Sequence, residues 1–131
     1  MIHPFKIGDK KYFSKIVAEN ETAAFDAGEV HPFYATFALG RDAEWVCRLF
    51  VLEMKETDEE GIGTFLHIEH KSPALIGDEV KFEAELMEII GNSVICNFTA
   101  QTRQRIIAIG STGQKILKKE KIHRIMEQIQ P

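Results

Sequence analysis

A carboxylate within an apolar helical segment is the side chain of this sequence most suited to chemistry. Glu44 adjoins the only tryptophan, Trp45, in a run of helix-forming residues, and a carboxylate in such a setting needs a partner or a function. It can act as a base on water or attack a carbonyl carbon directly. Arg41 and Arg48 are near it in the helix, so a structural ion pair is the alternative interpretation.

A threonine and a histidine are candidates for the same chemistry. Thr36 begins the predicted helix, where its hydroxyl can cap the helix or position a substrate and the free N–H groups can stabilise an oxyanion. His70 ends a predicted strand, and an imidazole can deliver a proton to a leaving group near neutral pH. A strand histidine by itself is more often structural, but the three residue types together favour catalysis.

The spacing of these residues limits how they assemble. Thr36, Gly40 and Glu44 are four residues apart, so they share one ridge of a helix. Eight residues of regular helix span about 12 Å, so Thr36 and Glu44 cannot touch within it. Either Thr36 lies outside the helix, or the site draws on two subunits.

One helix and five strands are predicted to hold the candidates. The helix runs from Thr36 to about Lys55 and is apolar on nearly all sides, which predicts burial in the core. Residues 20–30 indicate a loop with at most one helical turn around Ala23–Ala27. Residues 118–130 indicate a short terminal helix or a loosely held tail. Alternation of apolar and polar residues predicts antiparallel strands over Lys10–Glu19, Gly61–Lys71, Glu79–Ile89, Ser93–Thr102 and Gln104–Leu117.

Two of these strands have features that bear on the site. In Gly61–Lys71, uninterrupted alternation from Ile62 to His70 turns every second side chain toward the core, including His70, and turns His67 outward. In the last strand, Gly110 and Gly113 predict a bulge or a close backbone approach. Five strands around one helix leave a sheet edge and one helix end uncovered, and a dimer would cover both.

Composition limits the class of protein. The 131 residues have a formal net charge of −4 and 44% are apolar, which predicts a single domain with a core over about residues 8–117 and a tail over 118–131. An acidic balance argues against nucleic-acid partners, because phosphate contacts need a basic surface. Cys47 and Cys96 predict buried free thiols in a reducing compartment and cannot by themselves build a zinc site. Neither a membrane span nor a signal-peptide core is evident, so we expect a cytoplasmic protein.

Three motifs have spacings that belong together. The segment HPFYATFALGRDAEWVCR places Glu-Trp eight residues after a small hydroxyl residue. The segment GIGTFLHIEHKSPALIGDEV contains Gly-Thr, a histidine seven residues after that glycine, and a Pro-x-x-x-Gly-Asp connection. The third motif is the glycine-rich IGSTGQKIL. With these motifs the chain resembles the fluoroacetyl-CoA thioesterase group of the hotdog fold over most of residues 30–117.

The resemblance implies an α+β hotdog fold, in which a five-stranded antiparallel sheet wraps a long central helix, and a homodimer that could pair further into a tetramer. It implies hydrolysis of a short-chain acyl-CoA thioester without a cofactor or a metal. By motif, the catalytic residues fall on Thr36, Glu44 and His70. Gly63 falls beside the acyl group, and we expect Gly40 and Phe33 to bind substrate as well.

The last strand departs from the family's pattern. Its run is Gly110-Ser111-Thr112-Gly113-Gln114-Lys115, and the arginine that the family often has there is missing. This departure weakens the expectation of a basic contact to CoA from this strand, and of the same substrate as the family's.

Two other functions fit the same fold. A non-catalytic acyl-CoA-binding protein would keep the pocket but lose the polar residues, and Glu44 and His70 count against it. An enoyl-CoA hydratase-like enzyme would place an aspartate and a histidine about five residues apart on or before the central helix. Here Cys47 follows Asp42 at that spacing, which counts against hydration.

Overall fold

A long helix packed on an antiparallel sheet forms the core of the protein. The computed structural model describes residues 1–103 and 105–130. Helix α1 spans Thr36–Met54. The strands are β1 (Lys10–Ile16), β2 (Thr22–Phe25), β3 (Gly28–Tyr34), β4 (Glu59–His70), β5 (Glu79–Ile90), β6 (Ser93–Thr102) and β7 (Arg105–Lys118), and helix α2 (Lys119–Ile129) follows them.

The five long strands form one sheet around α1. Their order is β1-β5-β6-β7-β4, and all neighbours are antiparallel. Helix α1 contacts all five strands, so its buried side and the inward side chains of the sheet make one core. Strands β1 and β4 are the two edges of this sheet. The predicted helix and five-stranded antiparallel sheet are confirmed.

A hairpin replaces the loop that was predicted over residues 20–30. Strands β2 and β3 pair with each other through a turn at Gly28, whose φ of 111° favours glycine. The prediction of a helical turn around Ala23–Ala27 is wrong, since a short 3₁₀ turn lies earlier, at Glu19–Glu21. Strand β2 has only four residues and β3 contains Pro32, so neither shows the alternation by which the long strands were recognised. The predicted start of the last strand, Gln104, lies outside the described residues.

A bulge in β4 changes which of its side chains face α1. The register with β7 shifts between Gly63 and Phe65, so Thr64 is the extra residue of the bulge. Before it Gly61 and Gly63 face the helix, and after it Leu66, Ile68 and His70 do. The prediction that Ile62 and Thr64 point inward is therefore wrong, whereas the inward direction of His70 is confirmed.

Close approaches at the glycines of β7 are confirmed. A Cβ on Gly110 would lie 2.0 Å from the carbonyl oxygen of His67, and one on Gly113 would lie 2.2 Å from the Phe65 ring. Both distances are far below van der Waals contact. These glycines allow β4 to lie tightly against β7.

Helix α1 is buried on one side and exposed on the other. Val46 and Phe50 are fully buried, but Glu44 and Trp45 are exposed in the protomer, with Trp45 at 41%. The prediction of a helix buried on all sides around Glu44 is therefore wrong. Its buried carboxylate is Asp42, at 5% exposure. Thr36 is the first helical residue and not the cap, because Ala35 occupies the N-cap position.

A cluster of charged side chains holds the first turns of α1. Glu21 and Asp42 are buried, and both are ion-paired to Lys15 and Arg41. The Tyr34 hydroxyl donates to Asp42, and burial together with that carboxylate raises the pKa of the phenol, which keeps the proton in place. We refer to these five residues as the Asp42 cluster. Buried carboxylates paired on two sides are satisfied and fix the geometry of the groups around them.

The same cluster joins the helix to the hairpin. The carbonyl of Glu21 accepts from the Ala35 N–H at 2.8 Å, and its side chain accepts from the Ala18 N–H at 2.9 Å. Thr36 follows Ala35 directly, so its position depends on this attachment.

The Glu21→Gln variant should lose stability near neutral pH. Burial favours a higher pKa for Glu21, but Lys15, the Ala18 N–H and Arg41 outweigh it and hold the pKa below its ordinary value of 4.5. A carboxyl group with a lowered folded pKa stabilises above its unfolded pKa, and this stabilisation is lost as the pH falls through the folded pKa. We expect a loss of about 1–3 kcal/mol at pH 7, shrinking below about pH 4.5.

Urea unfolding of both proteins between pH 7 and pH 3 measures this difference. Glu19→Gln is the matched control, since Glu19 is exposed in the same turn and should change stability little. A difference between wild type and Glu21→Gln that stays constant down to pH 3 would contradict the assigned role.

Candidate active site

Thr36 and His70 meet at the start of α1. The Thr36 Oγ1 and His70 Nε2 atoms are 2.9 Å apart, a hydrogen bond between the first residue of the helix and the last residue of β4. They lie in an open cleft of about 490 Å³ whose wall also includes Phe33. We refer to it as the Thr36 cleft. Its other apolar walls come from Phe25, Val30 and Phe37.

Packing of β4 against the helix brings His70 to this position. A Cβ on Gly40 would lie 3.1 Å from Leu66 and 3.2 Å from Ile68, so the strand rests directly on the helix there. His70 follows at the next inward position of β4 and reaches the helix start. Among the described residues, Gly40 lines neither the Thr36 cleft nor the second cavity described below. The absence of a side chain at Gly40 instead lets Leu66 and Ile68 of β4 pack closely against the helix.

Glu44 occupies a second, smaller cavity. This Glu44 cavity has a volume of about 230 Å³ and lies between α1, the bulged part of β4 and the middle of β7. Gly63 forms its near wall, where a Cβ would lie 3.8 Å from the Glu44 Oε1 atom. Across from Glu44, the cavity is lined by Thr112, Gly113 and Gln114.

The arginines near Glu44 are paired with other acids. Arg48 binds Glu60 at 2.6 Å, and Arg41 belongs to the Asp42 cluster. Within residues 1–103 and 105–130, the Glu44 carboxylate has no hydrogen bond or ion pair. A structural ion pair therefore does not account for Glu44, and the carboxylate is available to a ligand in the cavity.

One protomer brings together two of the three predicted catalytic residues. Thr36 and His70 are in contact, whereas Glu44 lies about 12 Å farther along the helix axis in a different cavity. Of the predicted substrate-binding residues, Phe33 lines the Thr36 cleft and Gly63 lines the Glu44 cavity.

Other chemistries find no support in the described residues. Asp42 is held inside its cluster and cannot act as the acid of a hydratase. No group of three or more His, Cys, Asp or Glu side chains is arranged to hold a metal ion in the described ranges.

None of the helices described is both long and apolar enough to cross a membrane.

A match to a protein-family model establishes which family the chain is related to. The model of fluoroacetyl-CoA-specific thioesterases matches residues 17–120, which include both cavities. This chain belongs to that family. It is a thioester hydrolase with the hotdog fold.

Solved structures agree with this family membership. A Thermus thermophilus member of the thioesterase superfamily is 31% identical, with a TM-score of 0.93 over 98% of this chain and 95% of the other. A fluoroacetyl-CoA thioesterase is 20% identical, with a TM-score of 0.89 over 98% of this chain and 100% of the other. A hot-dog-like protein from Thermanaerovibrio acidaminovorans, 19% identical, has a TM-score of 0.87 over 97% and 95%. Curated protein sequences gave no match.

Two side chains of the thioesterase were missed by the motif analysis. Thr112 and Gln114 face α1 from β7 and line the Glu44 cavity, although no motif marks them. The alternation of β7 would have found them, because Ala108, Thr112 and Gln114 share its inward face.

Proposed function

We propose that the protein hydrolyses a short-chain acyl-CoA to the free acid and CoA, at a site that two copies of the chain build together. Thr36 and His70 come from one copy, and Glu44 and Gly63 come from the other. The observation that supports this most is the Thr36–His70 hydrogen bond at one end of the helix with an unpaired Glu44 two turns away. An antiparallel second helix would place the two halves face to face.

The exposed surface around both cavities supports a homodimer. Strand β4 is an edge of the sheet, and Ile62, Phe65 and Leu66 on it are 39–44% exposed. On α1, Phe37 and Trp45 are likewise exposed, at 52% and 41%. An edge strand with exposed apolar side chains readily pairs with another strand. Pairing of β4 with its copy would continue the sheet and cover the helix.

In the proposed site each of the three side chains has a separate role. Glu44, with no protein partner in the described residues, activates water for attack on the thioester carbonyl or attacks that carbon itself. The first N–H groups of α1 have no partner within the helix and can hold the oxyanion of the tetrahedral intermediate, whose collapse to a carbonyl breaks the C–S bond. His70 gives a proton to the leaving thiolate, and the Thr36 hydroxyl orients its ring.

Properties of the relatives support CoA thioesters as the substrate class. Variants of a fluoroacetyl-CoA thioesterase with this fold hold acetyl-CoA, or fluoroacetate with CoA. The small volume of the Glu44 cavity, about 230 Å³, favours a short acyl group.

Loss of Glu44 or His70 should slow turnover strongly. Removal of a general acid or base commonly slows catalysis by about 10²–10⁴-fold. Glu44→Ala and His70→Ala should therefore release thiol more slowly than the wild type by at least about the same factor. Thr36→Ala should lose less, because it removes only the hydroxyl that orients His70. Thiol release from acetyl-, propionyl- and butyryl-CoA measures the effect.

Matched controls lie on the same elements. Glu53→Ala on α1 and His67→Ala on β4 change the same residue types away from both cavities, and both should keep full activity. No turnover of any thioester by the wild type would overturn the activity, and full turnover by all three site variants would overturn the site.

A charge on β4 should dissociate the dimer, whereas a charge on the other edge of the sheet should not. Ile62→Glu places an acid on the outward face of β4 within the proposed interface, and Ile16→Glu does the same at β1, where Ile16 is 63% exposed. Sedimentation should show a dimer for wild type and Ile16→Glu and a monomer for Ile62→Glu, with activity lost in the last. A monomeric, fully active wild type would refute the shared site.

A further inference from the structure

One wall of the Thr36 cleft is the segment that follows His70. Lys71, Ser72 and Pro73 line the cleft directly after that histidine, where the chain leaves β4. The Lys71 N–H and the Ser72 hydroxyl donate to backbone carbonyls of β7 at 2.8 and 2.9 Å. The rim of the cleft on this side is therefore fixed to the sheet.

Arg105, the first residue of β7, is anchored at this rim. Its Nη1 group donates to the Ser72 hydroxyl at 2.8 Å and to the Pro73 carbonyl. The side chain is exposed, and its Nε and Nη2 groups have no partner among the described residues. Because the guanidinium is planar and one of its nitrogens is held, the free donors point in a fixed direction.

The charges at the rim favour an anion. The described residues that line the cleft include no aspartate or glutamate, and the partners of Arg105 in the described part of the chain are uncharged. Lys71 is paired with Glu69 at 2.8 Å, but both side chains are exposed, at 43% and 56%. Exposed pairs of this kind contribute little to stability, so the Lys71 ammonium can turn to a ligand instead.

The distance from His70 to Arg105 matches the length of the arm of CoA. Three extended residues lead from His70 to Pro73 and span at most about 10 Å, and Arg105 contacts Pro73. The arm between the sulfur of CoA and its first phosphate is as long as about four extended residues, roughly 14 Å. A thioester whose sulfur lies beside His70 therefore has its phosphates within reach of Arg105.

We infer that Arg105 and Lys71 bind the phosphates of CoA at the rim of the Thr36 cleft. The planar group of arginine offers parallel donors to two phosphate oxygens, and the lysine adds a second positive charge. This inference rests on the proposed function, because it takes a CoA thioester as the substrate and places its leaving group beside His70.

Parts of CoA test the inference without turnover. Calorimetry compares CoA with dephospho-CoA, which lacks the 3′-phosphate, and with pantetheine, which lacks every phosphate. We expect the wild-type protein to bind CoA at least about tenfold more tightly than pantetheine, because hydrogen bonds between charged groups add affinity. Dephospho-CoA should bind as CoA does if the pyrophosphate is held, and as pantetheine does if the 3′-phosphate is held.

Variants of the two basic residues separate phosphate binding from support of the wall. Arg105→Gln keeps a donor for the wall but removes the charge, and Arg105→Lys restores the charge. We expect Arg105→Gln to weaken CoA binding about tenfold, Arg105→Lys to weaken it less, and Lys71→Gln to weaken it about threefold. Pantetheine should bind equally to all three variants and to the wild type.

Arg103→Gln is the matched control. Arg103 lies in the same connection between β6 and β7, but it is paired with Asp78 and does not line the Thr36 cleft. This variant should bind CoA as the wild type does.

The outcomes distinguish this inference from the proposed function. Equal binding of CoA and pantetheine to the wild type overturns the inference, and so does an equal loss of both ligands in Arg105→Gln, which would show that Arg105 only supports the wall. Either result leaves thiol release at the proposed site intact. CoA binding that depends on Arg105, without thiol release from any acyl-CoA, would overturn the proposed function and retain the phosphate site.

Discussion

The length of one regular helix is the constraint on which the site depends. Thr36 and Glu44 share α1, and eight helical residues separate them by about 12 Å along its axis. No side-chain rotation closes that gap, so one protomer holds a Thr36–His70 pair at one end and a lone carboxylate farther along. In the proposed dimer, two copies in antiparallel arrangement would resolve the problem. The same helix would then serve two sites, giving its first turn to one and its middle to the other.

Two kinds of contact hold that helix in place. The Asp42 cluster ties its first turns to the β2–β3 hairpin, which also forms much of the wall of the Thr36 cleft. The contact of Gly40 with β4 sets the distance between helix and strand, and this distance decides whether His70 reaches Thr36. The bulge at Thr64 turns Gly63 toward Glu44 while keeping His70 inward. Groups outside the proposed site therefore position every residue that the proposal places in it.

The sequence predicted the fold well where periodicity was strong. Long alternating strands and a helical stretch gave the sheet and α1, and the motif spacings led to Thr36, Glu44 and His70. The hairpin was missed because β2 has only four residues and β3 contains Pro32, a residue that argues against a strand. Glu44 was taken as buried because apolar neighbours in sequence do not show which helix face meets the sheet, and Asp42 is the carboxylate that is buried. The inward position of Gln114 follows from the alternation of β7, but no motif marks this residue.

Complementation between two inactive variants tests the shared site most directly. Glu44→Ala and His70→Ala proteins are unfolded together and refolded as a mixture, and the heterodimer is isolated through different affinity tags. If the site is shared, one of its two sites keeps Thr36 and His70 from one copy and Glu44 from the other, so thiol release should recover to about half of the wild-type rate per dimer. A heterodimer as inactive as both parents would show that each copy uses its own Glu44, and would contradict the account.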